Sequence, residues 1–303
     1  MDKVASRHVT WIDIENPTEK DISGLVKKFP IHPLAVQEIL SVTYRPKLED
    51  FDDHLYLVLH FPVFDPKTNA TVSREIDFII FPYNLITAHY DDIPQLDGFQ
   101  QLLATHEALR ERKFGSSSGQ LLYNIISQLF SVSLKELDKI EDRIDIVQDK
   151  VFSGKEKETL QDIAHLRRDL LNFQKALKPQ QAILNSLAEH GRHFFGQDIL
   201  PYFNDIKGEY IQVWNSVEDL RETLDVIYET NISLLSANTN DVTKVLTAFA
   251  AVLLPATLIV NIFGMNIGDI PFASNPHAFW IALGIISISS LVIYLYFKNK
   301  KWF

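Results

Sequence analysis

The amino-acid sequence predicts an α+β domain at the N-terminus, then a long helical stalk, then two helices that cross a membrane. Three observations support this prediction. Strand-forming runs alternate with short helices over roughly the first 110 residues, a heptad pattern follows residue 200, and two long uncharged stretches lie near the end of the chain. The mean hydropathy of the 303 residues is close to zero, because a charged body and an apolar end cancel in the average.

The N-terminal domain is predicted from its strand signals. Three runs, 9–15, 55–64 and 71–90, are rich in β-branched and aromatic residues and are interrupted by proline, aspartate and asparagine. Helices are expected between them, over 18–29 with Thr18 as the N-cap, and over 32–40. Beyond residue 94 the strand signals fade, and helices are expected over 94–112, 120–152 and 155–195, with joints at 115–119 and at Gly154.

One long helix is expected from about residue 202 to residue 263. Its heptad pattern continues for about six heptads, which is typical of a helix that packs against parallel copies or neighbours. The pattern is apolar at first and becomes rich in amides and acids towards its end. A polar seam holds helices together poorly, so it favours helices that diverge around water.

The two uncharged stretches, 245–263 and 278–297, are each about 20 residues long, the length that crosses a hydrocarbon core. The connection between them is rich in glycine and proline and carries one charged residue, Asp269, as a hairpin link would. Lysines flank both stretches on the sides away from the connection, so the positive-inside rule predicts a multi-pass cell-membrane protein with both termini in the cytoplasm. The alternative is a buried helical hairpin of a soluble protein.

The expected domain boundaries follow from these elements. They are 1–115 for the cytosolic α/β domain, 116–244 for the helical region with the start of the stalk, 245–263 for the first membrane helix, 264–277 for the external loop, 278–297 for the second membrane helix and 298–303 for a basic cytosolic tail. The charged start of the chain has no apolar core of a leader, so we expect no cleaved signal peptide.

The composition excludes several classes of function. The chain has 29 Lys and Arg against 39 Asp and Glu, a net charge of −10, which argues against nucleic acid as a partner and suggests a cationic one. The absence of cysteine excludes disulfides and thiolate metal sites. The motifs of nucleophilic hydrolases, dinucleotide-binding proteins and phosphate-binding loops are missing, so we do not expect an enzyme.

A mostly polar or small face follows the end of the stalk into the first membrane stretch. Its members step by three and four: Asn240, Thr243, Thr247, Ala250, Leu254, Thr257 and Asn261. In lipid, polar groups turn towards partner helices or a water-filled path. Alternatively, the hydroxyls bond to their own helix and the small residues allow close packing. The spacing alone favours neither interpretation.

This face ends in Phe263-Gly264-Met265-Asn266, at the end of the first membrane stretch. Here the sequence resembles the CorA family of divalent-cation channels, whose signature is Tyr/Phe-Gly-Met-Asn at this place. Further blocks that resemble the family occur in the right order along almost the whole chain: HPLAVQE at 32–38, YRPKLE at 44–49, PYFND at 201–205, NDVTKVLT at 240–247 and YFKNKKWF at 296–303.

The resemblance implies a homopentameric funnel, with an α/β/α sandwich as the cytosolic domain and one pore lined by five long helices. It implies passive influx of Mg2+, often also of Co2+ or Ni2+, gated by cytosolic Mg2+ and without a further cofactor. The residues that match the family's functional positions are Gly264, Met265 and Asn266 at the selective external mouth, Glu229, Asn240, Thr243, Thr247, Thr257 and Asn261 along the pore, Leu246 and Leu254 at a hydrophobic gate, and Asp65 and Asp205 as regulatory metal ligands between subunits.

Some features leave alternatives open. The connection after the motif carries one acid and no glutamate, which looks closer to a zinc transporter of the same superfamily. Thr243 and Leu254 stand where methionines are common, and Asn261 where the residue is usually small or apolar. Asp65-Pro66 could equally form just a turn. A membrane-tethered coiled-coil scaffold would explain the heptads and the anchor, but not the polar face.

Overall fold

A six-stranded mixed sheet lies at the centre of the N-terminal part of the chain in the computed structural model, which describes residues 1–43, 45–265, 275–300 and 302. The strands run in the order β1-β2-β6-β5-β4-β3. The pair β2–β6 is parallel and the other pairs are antiparallel. The strand bounds are Asp2–Ala5 (β1), Thr10–Glu15 (β2), Lys47–Asp50 (β3), Leu55–Asp65 (β4), Ala70–Ile80 (β5) and Asn84–His89 (β6).

Helices make up most of the rest of the described chain. Their bounds are Glu19–Val26 (α1), Pro33–Glu38 (α2), Pro94–Thr105 (α3), Glu107–Phe114 (α4), Ser118–Phe152 (α5), Thr159–Leu177 (α6), Gln180–Phe195 (α7), Leu200–Phe263 (α8) and Ala278–Asn299 (α9), with a 3-10 turn at Gln197–Ile199. The chain divides into two compact units, Met1–Tyr228 and Glu229–Phe303.

The sheet carries helices on both faces, which confirms the α/β/α sandwich. Alternate residues of β4 point in opposite directions, as in any strand. Tyr56 and Val58 belong to the buried cluster formed with α1 and α2, whereas Phe61 contacts Phe130 of α5, at 5.5 Å between ring centroids. Helices α3, α5 and α6 cover this second face, so the core lies in two layers on either side of the sheet.

Local signals identified most of the elements. Thr18 forms a capping box with Asp21 at the start of α1, as a threonine at this position predicts. The run 71–90 holds two antiparallel strands, β5 and β6, joined by a short turn. Strands β1 and β3 were missed, because each has four residues with a high share of charged side chains and lies at an edge of the sheet.

The second unit contains the end of α8 and the helix α9. Both helices are long and apolar enough to cross a membrane. Pro255 lies inside α8 and does not end it. The Ser290 hydroxyl of α9 donates a hydrogen bond to the Val252 carbonyl of α8 at 3.0 Å, which ties the two helices together.

Candidate functional site

The polar face predicted from the sequence is present on the part of α8 in the second unit. Successive residues of a helix are rotated by about 100° around its axis, so the predicted pore-lining side chains fall within an arc of roughly 100° on α8. They are all exposed in the single chain: Glu229, Asn240, Thr243, Thr247, Thr257 and Asn261. The predicted gate residues lie at this face or its border, with Leu246 68% and Leu254 64% exposed.

The side of α8 that contacts α9 lies elsewhere on the helix. Ala248 is fully buried, and the Val252 carbonyl accepts the hydrogen bond from Ser290. These two positions lie roughly 130–170° around the helix from the centre of the polar face. The helix α9 therefore leaves the polar face of α8 open, although both helices are apolar enough for lipid.

The hydroxyls of the polar face are hydrogen-bonded to their own helix. Thr243 donates to the Thr239 carbonyl at 2.8 Å, Thr247 to the Thr243 carbonyl at 2.8 Å, and Thr257 to the Leu254 carbonyl at 2.9 Å. At the sequence level, such bonds to the same helix were the alternative to hydroxyls that face partner helices or water. They commit each hydroxyl proton to the backbone, so each oxygen presents lone pairs to whatever faces the helix. The result is a row of hydrogen-bond acceptors.

The glycine of the Gly-Met-Asn motif ends α8. The Gly264 amide donates to the Val260 carbonyl at 2.9 Å and the Met265 amide to the Ile262 carbonyl at 3.3 Å, which closes the last turn. The Met265 side chain is 52% exposed. Asn266, the predicted selectivity residue, and the acid Asp269 lie outside the described residues.

Asp65 caps the turn between β4 and β5. Its carboxylate accepts hydrogen bonds from the Lys67 amide at 2.9 Å and the Thr68 hydroxyl at 3.2 Å. These bonds, that of Lys67 above all, and the charge of Arg74 lower the pKa of Asp65. The carboxylate is therefore ionised and has a structural role in the turn, as the Asp65-Pro66 pattern also allows.

Asp205 lies in the first turns of α8 beside a second acid. Its carboxylate accepts a hydrogen bond from the Tyr123 hydroxyl at 2.8 Å. Burial and this bond raise the pKa of Tyr123 to about 12. Glu209, one turn further, accepts a bond from Ser127 at 2.6 Å, and burial raises its pKa. Within the described part of one chain, no hydrogen bond or ion pair joins Asp65 to Asp205.

A third group of ligand-type side chains was missed at the sequence level. Asp13, His89 and Asp97 each offer one ligand atom, and these atoms lie within 4.8 Å of one another. Asp13 and His89 come from the carboxyl-terminal halves of the parallel strands β2 and β6, and Asp97 from the first turn of α3. The sequence shows each residue near the end of an element, but it does not show that the two strands are neighbours.

Hydrogen bonds order this group closely. His89 Nε2 lies 3.3 Å from Asp13 Oδ2, and His89 Nδ1 lies 2.7 Å from the Asp91 carbonyl. The other oxygen of Asp13 accepts from the Thr87 hydroxyl, which itself accepts from the Trp11 indole at 2.9 Å. Burial lowers the pKa of His89, but the bonds to Asp13 and Asp91 outweigh it and raise the pKa overall.

Comparison with known proteins places the chain in context. The sequence profile of the family described as CorA-like Mg2+ transporter protein matches residues 6–300. The cobalt/magnesium transport protein CorA of Thermotoga maritima is 30% identical over 295 residues, which cover 97% of this chain and 83% of that protein. Its counterpart in Methanocaldococcus jannaschii is 24% identical over 292 residues, covering 96% and 90%.

The fold is similar as well. The complete structure of the CorA magnesium transporter from Methanocaldococcus jannaschii matches with a TM-score of 0.84 at 24% identity, covering 100% of this chain and 95% of that chain. At this identity the likeness shows the fold, including the long helix and the two apolar C-terminal helices.

Proposed function

The chain belongs to the CorA-like Mg2+ transporter protein family, and on that premise we propose that it conducts divalent cations, Mg2+ above all, passively across the cell membrane. The observation that carries the proposal is the open polar face of α8, which bears oxygen acceptors along the first apolar stretch and points away from α9. In lipid, such a face needs either partner helices or water. Co2+, which the names of the relatives include, is a second candidate cargo.

Five copies arranged as a homopentamer would bring five of these faces to one axis. Mg2+ is small and releases its water reluctantly. The waters around a hydrated cation point their hydrogens outwards, so a wall of acceptors suits them. Thr243, Thr247 and Thr257 offer such acceptors because their protons are already bonded to the backbone. Asn240 and Asn261 would add neutral amides, which can hold the ion without trapping it.

The pore would be selective at its mouth and closed by apolar side chains further in. Gly264, Met265 and Asn266 would form the external mouth, with the Asn266 amides collecting the ion. Leu246 and Leu254, both exposed in the single chain, would form rings that block ions by dewetting when they close. Glu229 would form a deeper acidic ring.

The expected orientation places both termini in the cytoplasm. Lys244 precedes the first span, and Lys298 and Lys300 follow the second, whereas the connection between the spans has no lysine or arginine. Positively charged flanks remain on the cytoplasmic side. The large acidic N-terminal unit would then face the cytosol, where it can sense the internal cation concentration.

Regulation would use cytosolic Mg2+ bound between neighbouring subunits by Asp65 and Asp205. The Asp205 carboxylate is exposed and has Glu209 beside it, whereas Asp65 is partly buried in the same unit. A bound divalent ion would join two subunits and hold the gate shut. Loss of the ion would loosen the pentamer.

A zinc transporter is the second candidate, and the observation that favours it is the connection over 267–277, which has one acid and no glutamate. Carboxylate oxygens are ligands that suit Mg2+, so a loop with a single acid removes a feature that would favour Mg2+ over Zn2+. Under this alternative the fold, the pore and the orientation are unchanged, and only the preferred ion differs.

Flux into proteoliposomes tests the proposal. We expect the wild-type protein to admit Mg2+, and a comparison with Zn2+ under the same gradient ranks the two cargoes. Asn266→Ala should lower the flux, whereas Ser289→Ala, whose hydroxyl bonds only within α9 at 2.7 Å, is a matched control that should not. Unchanged flux in Asn266→Ala would show that this asparagine is not the selectivity residue. Failure of the wild type to move either ion would favour a membrane-tethered scaffold.

Limited proteolysis tests the regulatory pair. Added Mg2+ should protect the wild-type protein, and the double variant Asp65→Ala with Asp205→Ala should lose this protection. Asp145→Ala, a change of another exposed acid on α5, serves as the control. Equal protection of the double variant and the wild type would remove both residues from the regulatory site.

A further inference from the structure

We propose that Asp13, His89 and Asp97 form a binding site for one divalent transition-metal ion of the class of Zn2+, Co2+ or Ni2+. The site lies in the N-terminal unit, at the carboxyl-terminal ends of the neighbouring strands β2 and β6. It is separate from the polar face of α8 and from Asp65 and Asp205. The proposal concerns metal binding at these strand ends, so it holds or fails independently of ion conduction.

The geometry of the three side chains suits a metal ion. One ligand atom of each lies within 4.8 Å of the other two. His89 Nε2 and Asp13 Oδ2 are 3.3 Å apart. Two ligands of a tetrahedral zinc ion with bonds of about 2.1 Å are separated by about 3.4 Å. The pair is thus already at the separation of two ligands of one ion, and the third ligand atom, on Asp97, lies within 4.8 Å of both.

The surrounding hydrogen bonds aim these atoms at one point. A carbonyl can only accept, so His89 Nδ1 must donate its proton to the Asp91 carbonyl at 2.7 Å. Nε2, which faces Asp13 Oδ2 at 3.3 Å, would release its proton when a metal ion arrives and become the ligating nitrogen. The Trp11 indole N–H can only donate, so the Thr87 hydroxyl accepts a hydrogen bond from it and donates one to Asp13 Oδ1. Oδ2 faces Nε2 and would ligate the ion together with it. Outer partners of this kind are typical of metal sites.

The local charge also favours a cation. Asp13 and Asp97 face a single histidine, and Glu15 and Asp92 add to the negative charge around Asp97. A divalent ion would neutralise this excess. Because one ligand is an imidazole nitrogen, the site suits Zn2+, Co2+ or Ni2+ better than Mg2+, which prefers oxygen ligands and retains its water. His89 is fully buried and Asp13 nearly so, which would keep the bound ion from bulk water.

Equilibrium binding to the purified full-length protein in detergent tests this site. Zn2+ is titrated in a large excess of Mg2+, which occupies sites made of oxygen alone. We expect one tight Zn2+ site per chain in the wild type, and a loss of affinity of about 100-fold or more in His89→Gln and in Asp97→Asn, because the loss of outer partners alone typically costs 10–100-fold. Co2+ should give visible absorption bands in the wild type that both variants lack.

The controls separate a lost ligand from a lost fold. His190→Gln changes a histidine that also faces a carboxylate, Asp50 at 3.0 Å, but at an exposed position, and it should bind Zn2+ as the wild type does. His89 is buried, so a loss of Zn2+ binding in His89→Gln counts as the loss of a ligand only if this variant melts at the same temperature as the wild type. Asp97 is half-buried at a helix start, so Asp97→Asn decides the matter if His89→Gln unfolds. Wild-type binding in a folded Asp97→Asn, or no tight Zn2+ site in the wild type, would overturn the proposal.

Discussion

The Thr87 hydroxyl joins the Trp11 indole to the Asp13 carboxylate inside the sheet, so replacing it tests how far this buried network stabilises the N-terminal unit. Thr87→Val preserves the shape of the side chain and removes the hydroxyl. Thr87 and Trp11 are fully buried, and the indole donates to the hydroxyl at 2.9 Å. In the variant the indole N–H loses Thr87 Oγ1 as its acceptor, and Asp13 loses a donor.

The expected cost follows from these two losses. A buried polar group left without a partner costs about 1–3 kcal/mol, so the two together destabilise the fold by about 2–6 kcal/mol. At about 2–4 °C per kcal/mol for a domain of this size, the melting temperature should fall by on the order of 10 °C. Thr87→Ser retains the hydroxyl and loses one methyl group, which costs only about 1 kcal/mol.

Thermal unfolding of the purified protein, followed by tryptophan fluorescence, measures the difference. Trp11, one of four tryptophans, contributes to this signal and is buried beside Phe99, with 6.3 Å between ring centroids. We expect Thr87→Val to melt well below Thr87→Ser, although valine is the more apolar residue. If the valine variant melted at or above the serine variant, the hydroxyl would contribute little and the network could not be what orders Asp13.

Three further predictions concern stability. Burial and a neighbouring glutamate raise the pKa of Asp77 well above its ordinary value. The folded state therefore holds this proton more tightly than the unfolded chain does, and the protein loses stability as the pH rises above the unfolded pKa of about 3.9. Asp77→Asn should therefore raise the melting temperature at about pH 8 but hardly at about pH 4, and equal shifts would contradict this. A Cβ at Gly191 would overlap the buried ring of Phe203 in α8, so Gly191→Ala should lower the free energy of unfolding by about 1–3 kcal/mol. Gly208→Ala, where the space is open, should not, and similar losses in both would refute the packing argument. Ser290→Ala breaks the bond between α9 and α8 and should lower the free energy of unfolding by less than about 1 kcal/mol, seen as a slightly lower melting temperature. Ser289→Ala breaks a bond within α9, and its effect on the melting temperature should be smaller still.

Much of the fold was predictable because its signals are local. A strand such as β4 is recognised from its own side chains, and the cap at Thr18 from two residues three positions apart. Strands β1 and β3 carry charged residues and have four residues each, so no local pattern separates them from loops. They become strands only because the sheet offers an edge on which they can pair.

The polar face of α8 shows the same division. Its spacing was readable from the sequence, but the spacing left open whether its hydroxyls bond to their own helix or face water. The structure answers the first half, since Thr243 and Thr247 donate to carbonyls one turn earlier. It adds that α9 packs on another side of α8, as the hydrogen bond from Ser290 to the Val252 carbonyl shows.

The sequence by itself determined the two apolar helices, the long heptad helix before them and the motif at its end, because hydrophobic periodicity and length act along one segment. Only the tertiary structure decided that β2 lies beside β6, which brings Asp13 to His89 across a sequence separation of 76 residues and sets Asp97 over both. Strand pairing joins backbone groups that are alike at every residue, so the choice of neighbour comes from packing of the whole sheet. The candidate metal site at the ends of β2 and β6 exists only because these two strands are neighbours.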